Sequence, residues 1–319
     1  MVKPKRPSIP QPKAIHKPPI GLRELDRFSH ASINKWNEIS KDLDELEAAI
    51  HFSLEPERRR LREELICALQ KNQSKHIVIT KWARIVDYQF SLMPLSSAGS
   101  LKEIGGRFNA GMDLDDGTLK PWPAFYLAEN YETAFREKFQ LKSTDFVDGL
   151  KPQELALENG HSHTVFFLQG KIENVFDMTN SSHLDEVAKV LKKIKMPDRA
   201  KALMKKLGMN SGTYVMVRNG LDLYDAVLRH NWRIQPMQFG LPSRSQVLAE
   251  LIRASGFEAI LYKSTMSAGK CLTIFPDKLS SATHIELVDL APAEVLHTRL
   301  DLSTSNELAG WHLIPKSYL

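Results

Sequence analysis

The chain has 319 residues, of which 42% are hydrophobic and 25% charged, with two cysteines and a formal net charge of +5. That composition supports a packed core and excludes wholesale disorder. Cys67 and Cys271 give no disulfide framework and no zinc site, and no apolar run reaches transmembrane length, so action in a reducing cytoplasm is expected, with neither membrane nor metal involved.

The positive charge is local. Lys3, Lys5, Arg6, Lys13 and Lys17 stand among the first twenty residues without an acid, so that segment carries +5 alone and the remainder is neutral. A nucleic-acid-binding domain usually keeps its excess charge on the folded part, so nucleic acid is not the expected partner. Six prolines in the same stretch lack an N–H and fix φ, so residues 1–20 read as an unstructured leader with no secretory-signal core. Residues 21–75 read as a helical N-terminal extension. Leu43, Leu46, Ala49 and Ile50 recur at helical steps, as do Leu61, Leu65, Ile66 and Leu69. Pro56 marks the expected start of the second helix, with Ser53 as its cap.

The strand pattern begins after that. Residues 77–86 read as a first strand, Phe125–Ala128 as a short one, and 129–140 as a helix capped by Asn130. Residues 164–168 and 172–177 read as two strands joined by a tight turn at Gly170. Helices are expected over 184–191, 199–207 and 246–254, the last stopped by Ser255 and Gly256. Residues 259–262 and 272–275 read as buried strands. Strands and helices mix without regular alternation or a glycine-rich first loop, which indicates an α+β fold rather than a doubly wound one. Residues 76–290 are the expected catalytic domain and 291–319 a C-terminal extension.

Four pieces of this domain carry chemistry. Gly105 and Gly106 let the backbone bend sharply before Arg107, whose planar fork of donors suits phosphate or ribose oxygens. Asn109 can hold that loop through side-chain-to-backbone hydrogen bonds. Tyr126 offers a ring on which a leaving base stacks. Glu137 shares a helix face with Thr133 and Ala134, and its carboxylate suits a ribose cation. Ser264 ends a buried strand, where a hydroxyl can reach a ligand. Taken singly, each is also an ordinary residue: a surface arginine, a core tyrosine, a solvated glutamate, a strand-ending serine.

In this order the four resemble the signature of the RES domain, a family of bacterial NAD-degrading toxins, over roughly residues 76–279. The matching stretches are Gly105-Gly106-Arg107-Phe108-Asn109, Phe125-Tyr126-Leu127-Ala128-Glu129, Thr133-Ala134 leading to Glu137, and Gly256-Phe257-Glu258-Ala259-Ile260 leading to Ser264. Leu241-Pro242-Ser243-Arg244-Ser245-Gln246 also fits the approach to the last motif. The resemblance implies an ADP-ribosyltransferase-like split mixed sheet with flanking helices. It implies NAD as substrate, Arg107, Tyr126 and Glu137 as catalytic residues, and Arg84, Asn109, Ser264 and Cys271 beside Arg107 and Tyr126 at the dinucleotide. Cys271 stands where many members have an asparagine, which removes one hydrogen bond to the ligand. By analogy, a neutralising antitoxin or immunity protein is the expected partner.

Other signals carry less. Asp113, Asp115, Asp116 and Gly117 sketch a calcium loop, but the glycine is one place early and the closing position is an alanine. His161 and His163 lack neighbouring ligands and read as surface histidines. Both cysteines read as core thiols.

Overall fold

The computed structural model describes residues 30–115, 117, 119–142, 162–209 and 216–310. The expected leader, Asp116, His161 and residues 311–319 lie outside the described residues. The chain divides into two compact units, Met1–Phe52 with Pro197–Thr213 and Ser53–Met196 with Tyr214–Leu319.

In chain order the elements are α1 (His30–Arg60), α2 (Arg62–Gln70), β1 (Lys75–Asp87), β2 (Gly105–Gly106), β3 (Asn109–Ala110), β4 (Phe125–Ala128), α3 (Tyr131–Phe139) and β5 (His163–Asp177). There follow α4 (Asp185–Leu191), α5 (Asp198–Lys206), α6 (Gly220–Leu228), α7 (Ile234–Phe239), α8 (Arg244–Ala254), β6 (Ala259–Lys263), β7 (Lys270–Ile274), β8 (His284–Leu287), β9 (Arg299–Asp301) and α9 (Ser305–Leu308). This is an α+β chain with a helical N-terminal region and a mixed sheet.

In the smaller unit, α5 is tied to residues 30–52 of α1 by polar contacts. Lys206 Nζ lies 2.8 Å from the buried Asp42 carboxylate, and Arg199 Nε donates to Glu45 Oε1 at 2.9 Å. Pro56 does not open a second helix. It lies inside α1, and the break comes at Leu61. The ring removes only one backbone bond, and Glu55 pairs with both Arg58 and Arg59 across that turn.

The larger unit takes in more than the expected 76–290. Leu61, Leu65, Ala68 and Leu69 are buried in one core cluster with Leu248, Leu251 and Ile252 of α8, so residues 53–75 belong with the sheet. At the other end, Leu300 of β9 and Leu308 of α9 are buried against strand residues, so the chain after 290 extends the sheet through β8–β9 pairing. The apolar periodicity of α2 and the two buried leucines fix both corrections.

Among the described residues seven strands form one sheet in the order β1-β4-β7-β6-β5-β8-β9, and β1 also pairs with β5. The circuit β1-β4-β7-β6-β5 therefore closes on itself. Among these described strands β5 and β6 run parallel and the other pairings are antiparallel. Alternation along the strands separates two apolar faces. Phe125, Leu127, Leu261, Leu272 and Ile274 fill one cluster, while Ala128, Ile260, Tyr262 and Cys271 join the other.

The turn expected at Gly170 is absent. Residues 163–177 form one strand, paired along its length with β1 and at Leu168–Lys171 with β8. Gly170 has φ of +143°, and a Cβ there would lie 2.1 Å from the His284 carbonyl oxygen. The glycine serves a close strand approach rather than a reversal.

Candidate functional site

Strand register brings the site residues to one face. Tyr126 of β4 opposes Thr273 of β7, Ala128 opposes Cys271, and Cys271 opposes Tyr262 of β6. Directly opposed residues point the same way, so Tyr126, Tyr262 and Cys271 share a side of the sheet.

Above that face sits the β2–β3 turn with Arg107. Gly106 is required there, because a Cβ would lie 2.5 Å from the Tyr126 hydroxyl and 2.7 Å from Asn109 Oδ1. The Tyr126 hydroxyl accepts from the Phe108 N–H at 3.0 Å and donates to Asn109 Oδ1 at 2.8 Å. Burial pushes that phenol far up, against the smaller downward effects of the Phe108 hydrogen bond and the Arg107 charge. The hydroxyl is thus a structural anchor, and only the ring is left for a ligand.

Asn109 is fully committed inside the protein. Its Oδ1 accepts from the Gly106 N–H at 2.9 Å and from Tyr126, and its Nδ2 donates to the carbonyls of Ser100 and Trp122 at 2.7 and 3.2 Å. It holds the loop that carries Arg107. Arg84 is likewise bound to protein groups. Its guanidinium donates to the Tyr126 carbonyl at 3.0 Å and the Ser96 carbonyl at 2.8 Å, and lies 4.0 Å from the Phe125 ring centroid. Burial lowers its pKa to about 10, and its buried Nε has no partner. Arg84 clamps β4 from the β1 side.

Arg107 and Glu137 meet through one loop. Asn130 caps α3 by accepting from the Thr133 N–H at 2.9 Å, and the helix carries Glu137 one turn further on. Glu137 Oε1 accepts the Ser264 hydroxyl at 2.5 Å and the Thr265 N–H at 3.0 Å. Arg107 Nη2 donates to Thr265 Oγ1 at 3.4 Å, while its Nη1 donates to the carbonyls of Val227 and Leu228 at 3.3 and 3.1 Å. Residues 264–269 therefore bridge the carboxylate and the guanidinium. That loop is itself fixed: Ser264 Oγ accepts from the N–H groups of Met266 and Ser267, and Ser267 Oγ donates to Thr133 Oγ1 at 2.9 Å.

Electrostatics report the same convergence. The Cys271 thiol is pushed far up by burial first and by the Glu137 charge second, with Arg107 opposing. Tyr262 is raised by burial and then by Cys271, Glu137 and Tyr126. Cys271 is a buried neutral thiol beneath the site. Cys67, expected in the core, is exposed on α2. His163 is half-buried between Phe135 and Phe139, with ring centroids 5.9 and 5.3 Å away, rather than on the surface.

Three further residues contribute to the site. Thr265 bridges the two charges. Gln246 Nε2 reaches the carbonyls of Ile104, Gly106 and Asn109 at 2.8, 3.1 and 2.9 Å and so fixes the Arg107 turn from α8. Its position is legible as a capping box with Ser243, which the structure forms. Arg233 donates to Gln140 Oε1 at 3.2 Å, within electrostatic range of Arg107 and Glu137.

Among the described residues no group of three or more His, Cys, Asp or Glu is placed to hold a metal ion, and no helix is long and apolar enough to cross a membrane. No family model matches the chain, and no curated protein does. Among solved structures, the chain is similar to one described as the crystal structure of the MbcT–MbcA toxin–antitoxin complex of M. tuberculosis. The two share 11% identity, the match covers 77% of this chain and 97% of that one, and the TM-score is 0.41. A likeness of that degree assigns neither activity nor partner.

Proposed function

We propose that this chain is an NAD-consuming enzyme of the RES type, with an ADP-ribosyltransferase-like sheet. It cleaves the nicotinamide N-glycosidic bond and transfers ADP-ribose to water, phosphate or a protein acceptor. The observation that carries the reading is the shared loop: Glu137 and Arg107 both bind Thr265, which places a carboxylate and a guanidinium within one side chain of each other. The face beneath them holds the Tyr126 ring.

The chemistry asks for that set. When the ribose C1′–N bond breaks, nicotinamide leaves with the bonding pair and the ribose becomes an oxocarbenium-like cation. An acceptor oxygen then bonds to C1′ and gives up its proton. A fixed carboxylate stabilises the cation, and fixed hydrogen bonds keep it from reorganising as charge develops. In this reading Ser264 and the Thr265 N–H orient Glu137, Arg107 takes phosphate or ribose oxygens, and the Tyr126 ring stacks on nicotinamide. Unchecked NAD loss would poison the cell that makes the protein. A neutralising protein that covers the site therefore belongs to the proposal, as does action in the cytoplasm.

A second reading is a nucleotide-binding module without turnover. The buried Cys271 thiol favours it, since it gives the ligand no polar donor where an asparagine is usual for the family. One assay separates the two. The purified full chain is incubated with NAD while nicotinamide release and thermal stabilisation are followed. Release supports the enzyme, stabilisation without release supports the module, and neither result would refute both.

A further inference from the structure

A second guanidinium stands at this site with no role in the reading above. The carbonyls that hold Arg107 belong to the last turn of α6, at Val227 and Leu228. A few residues on, Arg233 precedes α7. Its guanidinium lies 4.8 Å from the ring centroid of the buried Trp232, and its Nη1 donates to Gln140 Oε1 at 3.2 Å. Gln140 ends α3 in a left-handed conformation, and its Nε2 donates to the Glu137 carbonyl at 2.6 Å. The end of α6 and the segment that follows it thus bring two arginines to the Glu137 end of α3. Arg107 reaches the carboxylate through Thr265, and Arg233 reaches the backbone through Gln140.

Neither arginine is neutralised by the partners just named, which are carbonyls, a hydroxyl and an amide. Neighbouring arginines behave differently: Arg229 lies 3.0 Å from Asp225, and Arg136 lies 2.5 Å from Glu132. Burial, and then the Arg107 charge, lower the Arg233 pKa, while Glu137 opposes them. Two cations kept in mutual range beside one carboxylate leave an excess of positive charge that a doubly charged anion relieves.

We propose that Arg233 and Arg107 form a two-guanidinium clamp for a pyrophosphate, one arginine to each phosphate, which makes Arg233 a specificity residue for dinucleotides over mononucleotides. The proposal rests on the NAD reading, and its test separates the two. The full-length chain is titrated by calorimetry with inorganic pyrophosphate and with inorganic phosphate, as the parent, R233Q, R233K and the paired-arginine control R229Q. Loss of a charge-assisted hydrogen bond from R233Q should weaken pyrophosphate binding about ten- to a hundred-fold. Phosphate binding should change little, R233K should fall between, and R229Q should match the parent. The KM for NAD should rise by the same factor with kcat held within about two-fold. Equal pyrophosphate affinity in R233Q and parent overturns the clamp, as does a parent that does not bind pyrophosphate. Nicotinamide release unaffected by R233Q leaves the enzyme reading standing and the clamp refuted. Arg233-dependent pyrophosphate binding in a chain that releases no nicotinamide does the reverse.

Discussion

Glu137 Oε1 accepts the Ser264 hydroxyl at 2.5 Å, joining residues 127 positions apart in the chain. The serine also accepts two backbone N–H groups of its own turn, so one hydroxyl orients the carboxylate and closes the loop. Ser264→Ala therefore removes three bonds together. We expect a loss of about 1–3 kcal/mol in unfolding free energy, since partly buried partners are left unmatched. We also expect slower nicotinamide release, because Glu137 loses one of its two fixed donors. Urea midpoints and initial rates read the two effects; a variant equal to the parent in both would remove Ser264 from the account.

Tyr126 is expected to act through its ring. Tyr126→Phe keeps the stacking surface but strands the Phe108 N–H and leaves Asn109 Oδ1 with the Gly106 N–H alone. Stability should fall by about 1–3 kcal/mol, while kcat changes less than in a Tyr126→Ala variant. An unchanged urea midpoint in Tyr126→Phe would mean that the hydroxyl does not anchor the turn.

The two thiols should differ sharply. Exposed Cys67 should react with a thiol reagent in the native protein and buried Cys271 only after unfolding. Cys271 and Tyr126 both have folded pKa values raised above their ordinary 9.0 and 10.0, by burial first. Their neutral forms contribute stability that is complete below pH 9 and drains as pH climbs above it, because the unfolded chain loses those protons first. The urea midpoint should therefore decline from pH 8.5 to pH 10.5, and less steeply in Cys271→Ala; identical slopes would contradict the burial effect at that thiol.

Gly170→Ala tests the sheet. A Cβ would meet the His284 carbonyl oxygen at 2.1 Å on a backbone with φ of +143°. We expect loss of the β5–β8 pairing and a drop of more than about 2 kcal/mol in stability, beyond the usual cost of a glycine replacement. A parent-like melting curve would show that the strands can separate there freely.

Local chemistry was legible in the sequence where one residue decides the outcome. Asn130 caps α3, Gly256 takes φ of +93° beyond α8, and Phe125–Ala128 is a strand with the limits its apolar run sets. Non-local choices were not legible. Gly170 looks like a turn glycine because the His284 carbonyl that demands it is far along the chain. Pro56 looks like a helix start because residue type alone does not tell a proline in a first turn from one inside a helix. β8, His284-Ile285-Glu286-Leu287, does alternate, but four residues and the three of β9 do not reveal which strands they join. At the site, Arg107, Tyr126, Glu137 and Ser264 are brought to one place, whereas Asn109 and Arg84 turn out to support it. Support of this kind depends on which atoms are already satisfied, and a residue's type does not reveal that.

The role of the Glu137 charge is read by nicotinamide release from NAD by the purified parent against Glu137→Gln. The amide preserves the shape and accepts the Thr265 N–H but cannot carry the negative charge. Glu137→Gln should lose at least about 100-fold in rate with NAD affinity and the unfolding midpoint near those of the parent. A Glu137→Gln protein that releases nicotinamide as fast as the parent would contradict that role.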